Sequence, residues 1–83
     1  MPMDKGVLDV LVPDLGDVAE VVVVEWLKSP GEALIEGEDL VEVESEKTAF
    51  VVPAPVGGTL LEHVANVGDR LKLGALLGRI DPQ

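Results

Sequence analysis

Lys47 is the residue whose position first raises a chemical question. It lies in the segment VEVESEKTAFVV, residues 41–52, between two runs in which apolar residues recur. The chain has six basic residues against sixteen acidic ones, so a lone amine at a bend is conspicuous. Such a lysine can be a solvated turn residue or the attachment point of a modifying group, and these residues by themselves leave both possibilities open.

Few other side chains offer chemistry. The sequence contains no Cys, so neither a disulfide framework nor a thiolate metal site is available. His63 is the single histidine, and we expect a surface or packing role for it rather than general base catalysis. Trp26, the single tryptophan, is expected in the core rather than on a ligand-stacking surface. The sequence therefore predicts no catalytic group and no metal site.

Length and charge limit the possible functions. The 83 residues suffice for one small domain. A domain of this size buries only about 60 to 65% of its unfolded surface, which leaves little room for an internal active site. A formal net charge of -10, without clusters of Lys or Arg, disfavours nucleic acid as a partner. The acidity fits either solubility or steering towards a basic surface on a partner protein.

No apolar stretch is long enough to span a membrane, and the first residues do not resemble a signal peptide. We therefore expect a soluble, intracellular protein without membrane contact. Residues 1–6 are interpreted as an N-terminal extension of the folded domain.

The sequence contains an internal repeat. Residues 25–44, EWLKSPGEALIEGEDLVEVE, align without gaps on residues 62–81, EHVANVGDRLKLGALLGRID, with five identities over twenty positions. Two repeats are too few for a solenoid, so a closed arrangement of the two halves is expected. Upstream, VPDLG (12–16) aligns with VPAPVGG (52–58), which gives the first half three extra residues in the loop around residues 17–20.

Short apolar runs separated by Gly and Pro predict strands rather than helices. Gly31, Gly37, Gly68 and Gly74 fall at matching bends of the two halves, where a positive φ costs glycine nothing. Eight strands are predicted, at Val7 to Val12, Val21 to Leu27, Ala33 to Ile35, Leu40 to Glu44, Ala49 to Pro53, Thr59 to Val64, Arg70 to Lys72 and Leu76 to Asp81. We expect an all-β fold, in which two four-stranded antiparallel sheets related by a pseudo-two-fold axis form a flattened barrel or sandwich.

The hairpin that contains Lys47 follows from the same pattern. Apolar and acidic residues alternate along 41–44, so one face of this strand is buried and the other lies in water. The return strand begins near Ala49, which leaves residues 45–48 as a tight connection with Lys47 at or beside its apex. The pseudo-two-fold axis places this tip at the opposite end of the domain from the C-terminus.

Five segments together resemble the lipoyl domain of the dihydrolipoyl acyltransferase component of 2-oxo acid dehydrogenase complexes, within the biotinyl/lipoyl attachment family. They are VPDLG, VVEWLKSPGE, VEVESEKTAFVVPAP, GGTLLEHVANVGDRL and LGALLGRI, and the resemblance runs from about Val7 to Ile80. It implies a carrier domain over residues 7–81, the start of a linker at 82–83, and lipoic acid attached as an amide to Lys47. It further implies a non-catalytic, monomeric module excised from a longer polypeptide.

The resemblance also implies partners. A thiamine diphosphate-dependent 2-oxo acid decarboxylase (E1) would load the lipoyl arm, and an acyltransferase catalytic domain (E2) would pass the acyl group to coenzyme A. Dihydrolipoyl dehydrogenase (E3) would reoxidise the arm, and a lipoate ligase or lipoyl transferase would attach it. A bacterial cytoplasm is expected more than a mitochondrial matrix.

The attachment enzyme and the decarboxylase are expected to recognise the residues around the lysine. These are Glu44, Ser45, Glu46 and Thr48. In the family an acidic residue precedes the lysine, and that residue is usually Asp. Glu46 is one methylene longer, so its reach could change the efficiency of either partner without changing the attachment site.

A second candidate contact is the loop between the first two strands. In the family this loop lies near the lysine and helps the decarboxylase to choose its partner. Here it corresponds to residues 14–20, and Asp14, Asp17 and Glu20 are its candidate contact residues. A neutral insertion in an exposed loop is the alternative interpretation of its extra length.

Two other functions remain as alternatives. Biotin carrier domains share the fold and place their lysine on the same hairpin, typically between two methionines, whereas Glu46 and Thr48 flank Lys47 here. An unmodified structural adaptor with a lipoyl-like fold would need no lysine at the apex. Such adaptors usually carry a helical insert, which this sequence pattern does not predict.

Overall fold

The computed structural model describes residues 6–83, and these residues form eight strands and no helix. The strands are β1 Leu8–Leu11, β2 Glu20–Trp26, β3 Ala33–Leu34, β4 Asp39–Glu44, β5 Ala49–Pro53, β6 Gly58–His63, β7 Arg70–Lys72 and β8 Leu76–Pro82. Every predicted strand is present, and no strand end differs from its predicted position by more than one residue. The predicted all-β fold is confirmed.

The strands form two four-stranded antiparallel sheets, as predicted. The first sheet has the order β1-β8-β6-β3, and the second sheet has the order β5-β4-β2-β7. Each sheet takes two strands from β1–β4 and two from β5–β8, so the two halves of the sequence interlock. Neither half can complete a sheet alone, and the pairing of distant strands therefore fixes both sheets together.

The core lies between the two sheets and is built from aliphatic side chains. The buried residues are Val10, Val12, Val18, Val21, Val23, Leu34, Leu40, Val41, Val43, Val52, Ala54, Leu60, Ala65, Leu77 and Ile80. Fully burying a Val, Leu or Ile side chain stabilises a fold by about 1.5 to 3 kcal/mol. Among residues 6–83 no polar or charged side chain is buried, so the groups available for chemistry lie at the surface.

Backbone hydrogen bonds repeat with an offset of 37 residues, as the pseudo-two-fold axis requires. Gly31 donates to Leu60 O at 2.7 Å, and the equivalent Gly68 donates to Val23 O at 2.8 Å. A bulge interrupts β2 opposite β4, and an equivalent bulge interrupts β6 opposite β8. The internal repeat seen in the sequence is therefore a structural repeat as well.

The predicted alignment of the first strand was wrong by two residues. Leu8 pairs with Ile80 and Phe50 pairs with Val43, so Leu8 is equivalent to Phe50, 42 positions later. Equivalent residues further along the chain are 37 positions apart, so the loop before β2 contains five extra residues rather than three. The shared Val-Pro dipeptide misled the sequence alignment, because its two copies occupy different positions of the fold.

Trp26 and His63 occupy equivalent positions of the repeat and stack on each other. Their ring centroids are 4.0 Å apart and their planes differ by 10°. Trp26 Nε1 donates to Ala65 O at 2.8 Å, and His63 Nε2 lies 2.8 Å from Lys28 O in the equivalent hydrogen bond. A carbonyl oxygen can only accept, so His63 must carry a proton on Nε2. Both rings are half-buried, in the packing roles predicted for them.

The four glycines predicted to occupy matching bends all have positive φ. The angles are 94° at Gly31, 90° at Gly37, 95° at Gly68 and 85° at Gly74. These residues turn the chain sharply between short strands, where a side chain with a Cβ would be strained. The glycine spacing in the sequence is therefore a direct consequence of the backbone geometry.

We expect Gly58→Ala to destabilise the fold far more than Gly74→Ala. Gly58 has a φ of 152°, and an added Cβ would overlap the carbonyl oxygen of Asp81 and approach Pro82 Cα at 2.9 Å. Overpacking and backbone strain together should lower the free energy of unfolding by about 3 kcal/mol or more. At Gly74 nothing lies within 4 Å of the added atom, so only the cost of its positive φ remains, about 1 to 2 kcal/mol. Urea denaturation measures both losses, and equal losses would contradict this account of the β6–β8 contact.

Candidate functional site

The candidate site is the tip of the β4–β5 hairpin. Val41 pairs with Val52 and Glu44 pairs with Ala49, so the ladder is continuous up to the four-residue connection at 45–48. The side chains of Val41 and Val43 are fully buried on the inner face of β4. This buried base holds the tip in one position relative to the rest of the domain.

Ser45 organises the tip. Its backbone N–H donates to Thr48 O at 2.8 Å, which closes the turn. Its Oγ atom accepts hydrogen bonds from the N–H groups of Lys47 and Thr48, both at 3.1 Å. The Ser45 hydroxyl also lies 3.1 Å from Thr48 O, to which it can donate. The serine side chain thus satisfies the turn without the Asn-Gly or Asp-Gly pair that favoured two-residue turns use.

Lys47 presents a free amine at this tip. Its side chain is exposed, as are those of its neighbours Glu46 and Thr48. Within residues 6–83 the Lys47 amine makes no hydrogen bond and no ion pair, whereas Lys28, Arg70 and Arg79 are each paired with a carboxylate. An enzyme can reach an unpaired, exposed amino group at the apex of a fixed hairpin and can acylate it once the group has lost its proton.

The two ends of this hairpin lie far apart. The pair Glu44 and Ala49 adjoins the tip, and the pair Asp39 and Pro53 closes the other end. Asp39 and Glu44 are five residue steps apart along β4, which corresponds to about 17 Å of extended strand. Whatever contacts the Asp39 end is therefore remote from Lys47.

The C-terminus lies at the Asp39 end. Gln83 N–H donates to Gly57 O at 3.1 Å, and a Cβ added at Gly57 would lie 3.9 Å from the backbone nitrogen of Glu36. Ala54 N–H donates to Glu38 O at 2.8 Å, which ties the end of the hairpin to the same region. The structure thus agrees with the prediction that the tip and the C-terminus are at opposite ends.

Glu38 stabilises the end that is remote from the tip. One carboxylate oxygen accepts a hydrogen bond from Ile35 N–H at 3.1 Å, and the other lies 3.2 Å from Lys28 Nζ. The hydrogen bond from Ile35 and the pairing with Lys28 lower the pKa of Glu38 below its ordinary value. The carboxylate belongs to a turn and is part of the scaffold.

The loop before β2 lies beside the tip. Asp17, Val18, Ala19 and Glu20 line one side of a cleft, and Ser45, Glu46 and Lys47 line the other. Asp14 does not line this cleft, and its carboxylate accepts the N–H of Gly16 at 3.0 Å in a local turn. Two of the three acidic residues predicted in the loop, Asp17 and Glu20, are therefore near the lysine.

Arg70 is a neighbour of the tip that sequence reasoning missed. Its Nη1 atom donates to Glu20 Oε1 at 2.8 Å across the β2–β7 pair. It also lines a second cleft together with Glu44, Ser45 and Glu46. Strand β7 was predicted correctly, but no partner strand was predicted for it, and its pairing with β2 is what brings Arg70 to the tip.

The charge around the tip is mostly negative. Asp17, Glu20, Glu44 and Glu46 surround Lys47, and Arg70 is already paired with Glu20. In the described part of the chain, no group of three or more His, Cys, Asp or Glu side chains is arranged to hold a metal ion. Residues 6–83 contain no helix of the length and apolar character needed to cross a membrane. The tip therefore presents the Lys47 amine among carboxylates.

Three comparisons place the chain among known proteins. A family model described as "Biotin-requiring enzyme" matches residues 8–80. The succinyltransferase component of the 2-oxoglutarate dehydrogenase complex of Bartonella vinsonii is 43% identical over 88% of this chain, which corresponds to 18% of that relative. The acetyltransferase component of the pyruvate dehydrogenase complex of Corynebacterium glutamicum is 38% identical over 87% of this chain and 11% of its own length.

A solved structure is similar over almost its whole length. The lipoyl domain of the 2-oxoglutarate dehydrogenase complex from Azotobacter vinelandii is 36% identical, with a TM-score of 0.69, over 87% of this chain and 92% of that one. The chain therefore spans a small part of the curated relatives but nearly all of an isolated lipoyl domain. The resemblance inferred from the sequence is confirmed, and the chain belongs to the biotinyl/lipoyl attachment family, in which its similarity is to lipoyl domains.

Proposed function

We propose that this domain carries lipoic acid on Lys47 and moves acyl groups and reducing equivalents between the active sites of a 2-oxo acid dehydrogenase complex. The observation that carries the proposal is the free, exposed amine at the apex of a hairpin whose other end adjoins the C-terminus. The printed names of the relatives include both 2-oxoglutarate and pyruvate dehydrogenase complexes. The proposal is therefore confined to the class of 2-oxo acids.

The residues at the tip fit a covalent acyl group. The Lys47 amine has no competing partner within residues 6–83, and no side chain of the described turn covers it. When bound there, lipoic acid would supply a dithiolane that takes up an acyl group and electrons. Ser45 holds the backbone of the turn, so that the lysine stem leaves the domain in a fixed direction. The domain itself contributes no catalytic group in this proposal.

The benefit of such an arm is proximity. A tethered group meets successive active sites at high effective concentration, so intermediates do not diffuse away.

The partners in this proposal are a thiamine diphosphate-dependent decarboxylase, an acyltransferase catalytic domain and dihydrolipoyl dehydrogenase, with a lipoate ligase or lipoyl transferase for attachment. The relatives named above are bacterial, which supports a bacterial cytoplasm. The domain limits at residues 7 and 81 stay a prediction.

Biotin is the second candidate group, because the family includes biotin-requiring enzymes. The residues around the lysine argue against it. Glu46 and Thr48 flank Lys47, whereas biotin carriers typically place methionines there, and both methionines of this chain lie at positions 1 and 3.

Intact mass after co-expression with a lipoate ligase tests the attachment directly. We expect one lipoyl group on the wild-type domain and none on Lys47→Arg, because the guanidinium of arginine cannot form this amide under the same conditions. Lys72→Arg is the matched control, since Lys72 is exposed and has no ion pair in the described residues, and it should be modified like the wild type. A lipoyl group on Lys47→Arg would refute the site. Biotin on the wild type after co-expression with biotin ligase would favour the second candidate.

Replacement of Ser45 by Ala should loosen the tip without unfolding the domain. The Oγ atom accepts two backbone hydrogen bonds, so its loss should cost about 1 kcal/mol and expose the N–H groups of Lys47 and Thr48 to exchange. Thr48→Val is the control, because the Thr48 hydroxyl makes only a long contact of 3.4 Å with Ala49 O. Amide hydrogen exchange at Lys47 and Thr48 is the measurement. Unchanged exchange at Lys47 in the Ser45 variant would contradict the role assigned to this serine.

The proposed role of the loop in decarboxylase choice is tested by charge reversal. Asp17→Lys combined with Glu20→Lys should lower the rate of decarboxylase-dependent acylation by about tenfold, because both acids line the cleft beside Lys47. Glu36→Lys with Asp39→Lys makes the same charge change at the remote end and serves as the control. Equal acylation of both double variants would dispose of the loop hypothesis.

A further inference from the structure

The outer face of the first sheet carries a cation between two carboxylates. Arg79 on β8 lies between Asp9 on β1 and Glu62 on β6, with N–O distances of 3.4 Å and 2.7 Å. The hydrogen bond to Glu62, together with the charges of both carboxylates, raises the pKa of Arg79. These ion pairs join three neighbouring strands, and the carboxylates of Asp9 and Glu62 on this face are paired with an arginine of the same chain.

The equivalent place on the second sheet has no cation. The repeat makes Glu42 equivalent to Arg79, Glu25 equivalent to Glu62, and Val51 equivalent to Asp9. Glu25 and Glu42 are directly opposite in the β2–β4 ladder, where side chains of like charge repel each other. Within residues 6–83 neither carboxylate has a hydrogen bond or ion pair.

Apolar side chains surround this unbalanced pair. Val24 is 38% exposed and Val51 is 46% exposed, and Val22 is partly exposed between them and the tip. Glu44 completes the surface, which we call the valine–glutamate face and define as Val22, Val24, Glu25, Glu42, Glu44 and Val51. Arg70, which lies opposite Val22 on β7 at the edge of this sheet, is paired with Glu20. The face is continuous with the tip, because Glu44 immediately precedes Ser45.

We propose that the valine–glutamate face docks the 2-oxo acid decarboxylase, which presents an arginine that enters between Glu25 and Glu42. The valines contact the apolar stem and the neighbours of that arginine. The inference rests on the proposed function, because it assigns a surface to one partner of the Lys47 arm.

Charge complementarity argues for an arginine on the docked partner. On the first sheet Arg79 occupies the position equivalent to Glu42 and pairs with carboxylates on both flanking strands, so a guanidinium is accepted by carboxylates on the outer face of this scaffold. On the second sheet Glu25 and Glu42 repel each other without a cation between them, and exposed valines lie beside this pair. A guanidinium on an apolar stem satisfies both features, and the position next to the tip brings the partner's active site within reach of the arm.

The test uses the lipoylated domain and the purified decarboxylases of one bacterial 2-oxoglutarate complex and one bacterial pyruvate complex. Both are assayed for reductive acylation, and the faster one is used to compare Glu42→Gln and Glu25→Gln with the wild type. Glu62→Gln is the matched control, since it removes the same charge from the equivalent position of the first sheet. Urea denaturation midpoints are measured for every variant.

Opposite effects are expected on the two faces. Glu42→Gln and Glu25→Gln should lower kcat/KM by about three- to tenfold, mainly by raising KM, and should make kcat/KM less dependent on salt. The urea midpoint should rise, because the repulsion between the two carboxylates is removed. Glu62→Gln should leave kcat/KM unchanged and lower the urea midpoint, because it breaks an ion pair.

Three results would overturn the docking surface. The first is unchanged kcat/KM in Glu42→Gln at low salt, and the second is a loss of kcat/KM with a parallel fall in the urea midpoint. The third is acylation by neither decarboxylase of a domain whose mass shows lipoate on Lys47. Absence of lipoate from Lys47 is a separate outcome, because it refutes the proposed function and is seen in the mass before any acylation assay.

Discussion

The pairing of strands from both halves of the sequence into each sheet is the constraint on which the rest of the structure depends. Sequential strands alone would leave each half with an open apolar face, whereas the observed order buries Val and Leu from both halves between the sheets. The same pairing anchors the β4–β5 hairpin along its length and holds its tip away from the C-terminus. A small domain without disulfides thereby obtains one rigid, outward-facing turn.

Most of the fold could be predicted from the sequence because its signals are local. Alternating apolar residues and the glycines at 31, 37, 68 and 74 allowed the ends of every strand to be predicted to within one residue. The upstream alignment failed because the Val-Pro dipeptide is a chance identity between positions that are not equivalent in the two halves. Strand registers are set by distant partners, and a short identity carries no information about them.

The site was predictable in part for the same reason. Lys47 follows from the hairpin pattern, and the loop acids Asp17 and Glu20 do lie beside it. The role of Ser45 depends on the direction of its hydroxyl, and that of Arg70 depends on the β2–β7 pairing, neither of which is encoded locally. The imbalance between the two outer faces became visible only when the registers made Glu42 equivalent to Arg79.

A paramagnetic label at the C-terminus tests the central claim most directly, since the chain has no Cys and Gln83→Cys gives a single attachment point. Relaxation enhancement of the amides is measured along the chain. Strong enhancement is expected around Gly57 and little at residues 45–48. Strong enhancement at Lys47 would place the amine beside the chain end and contradict its display at the remote tip.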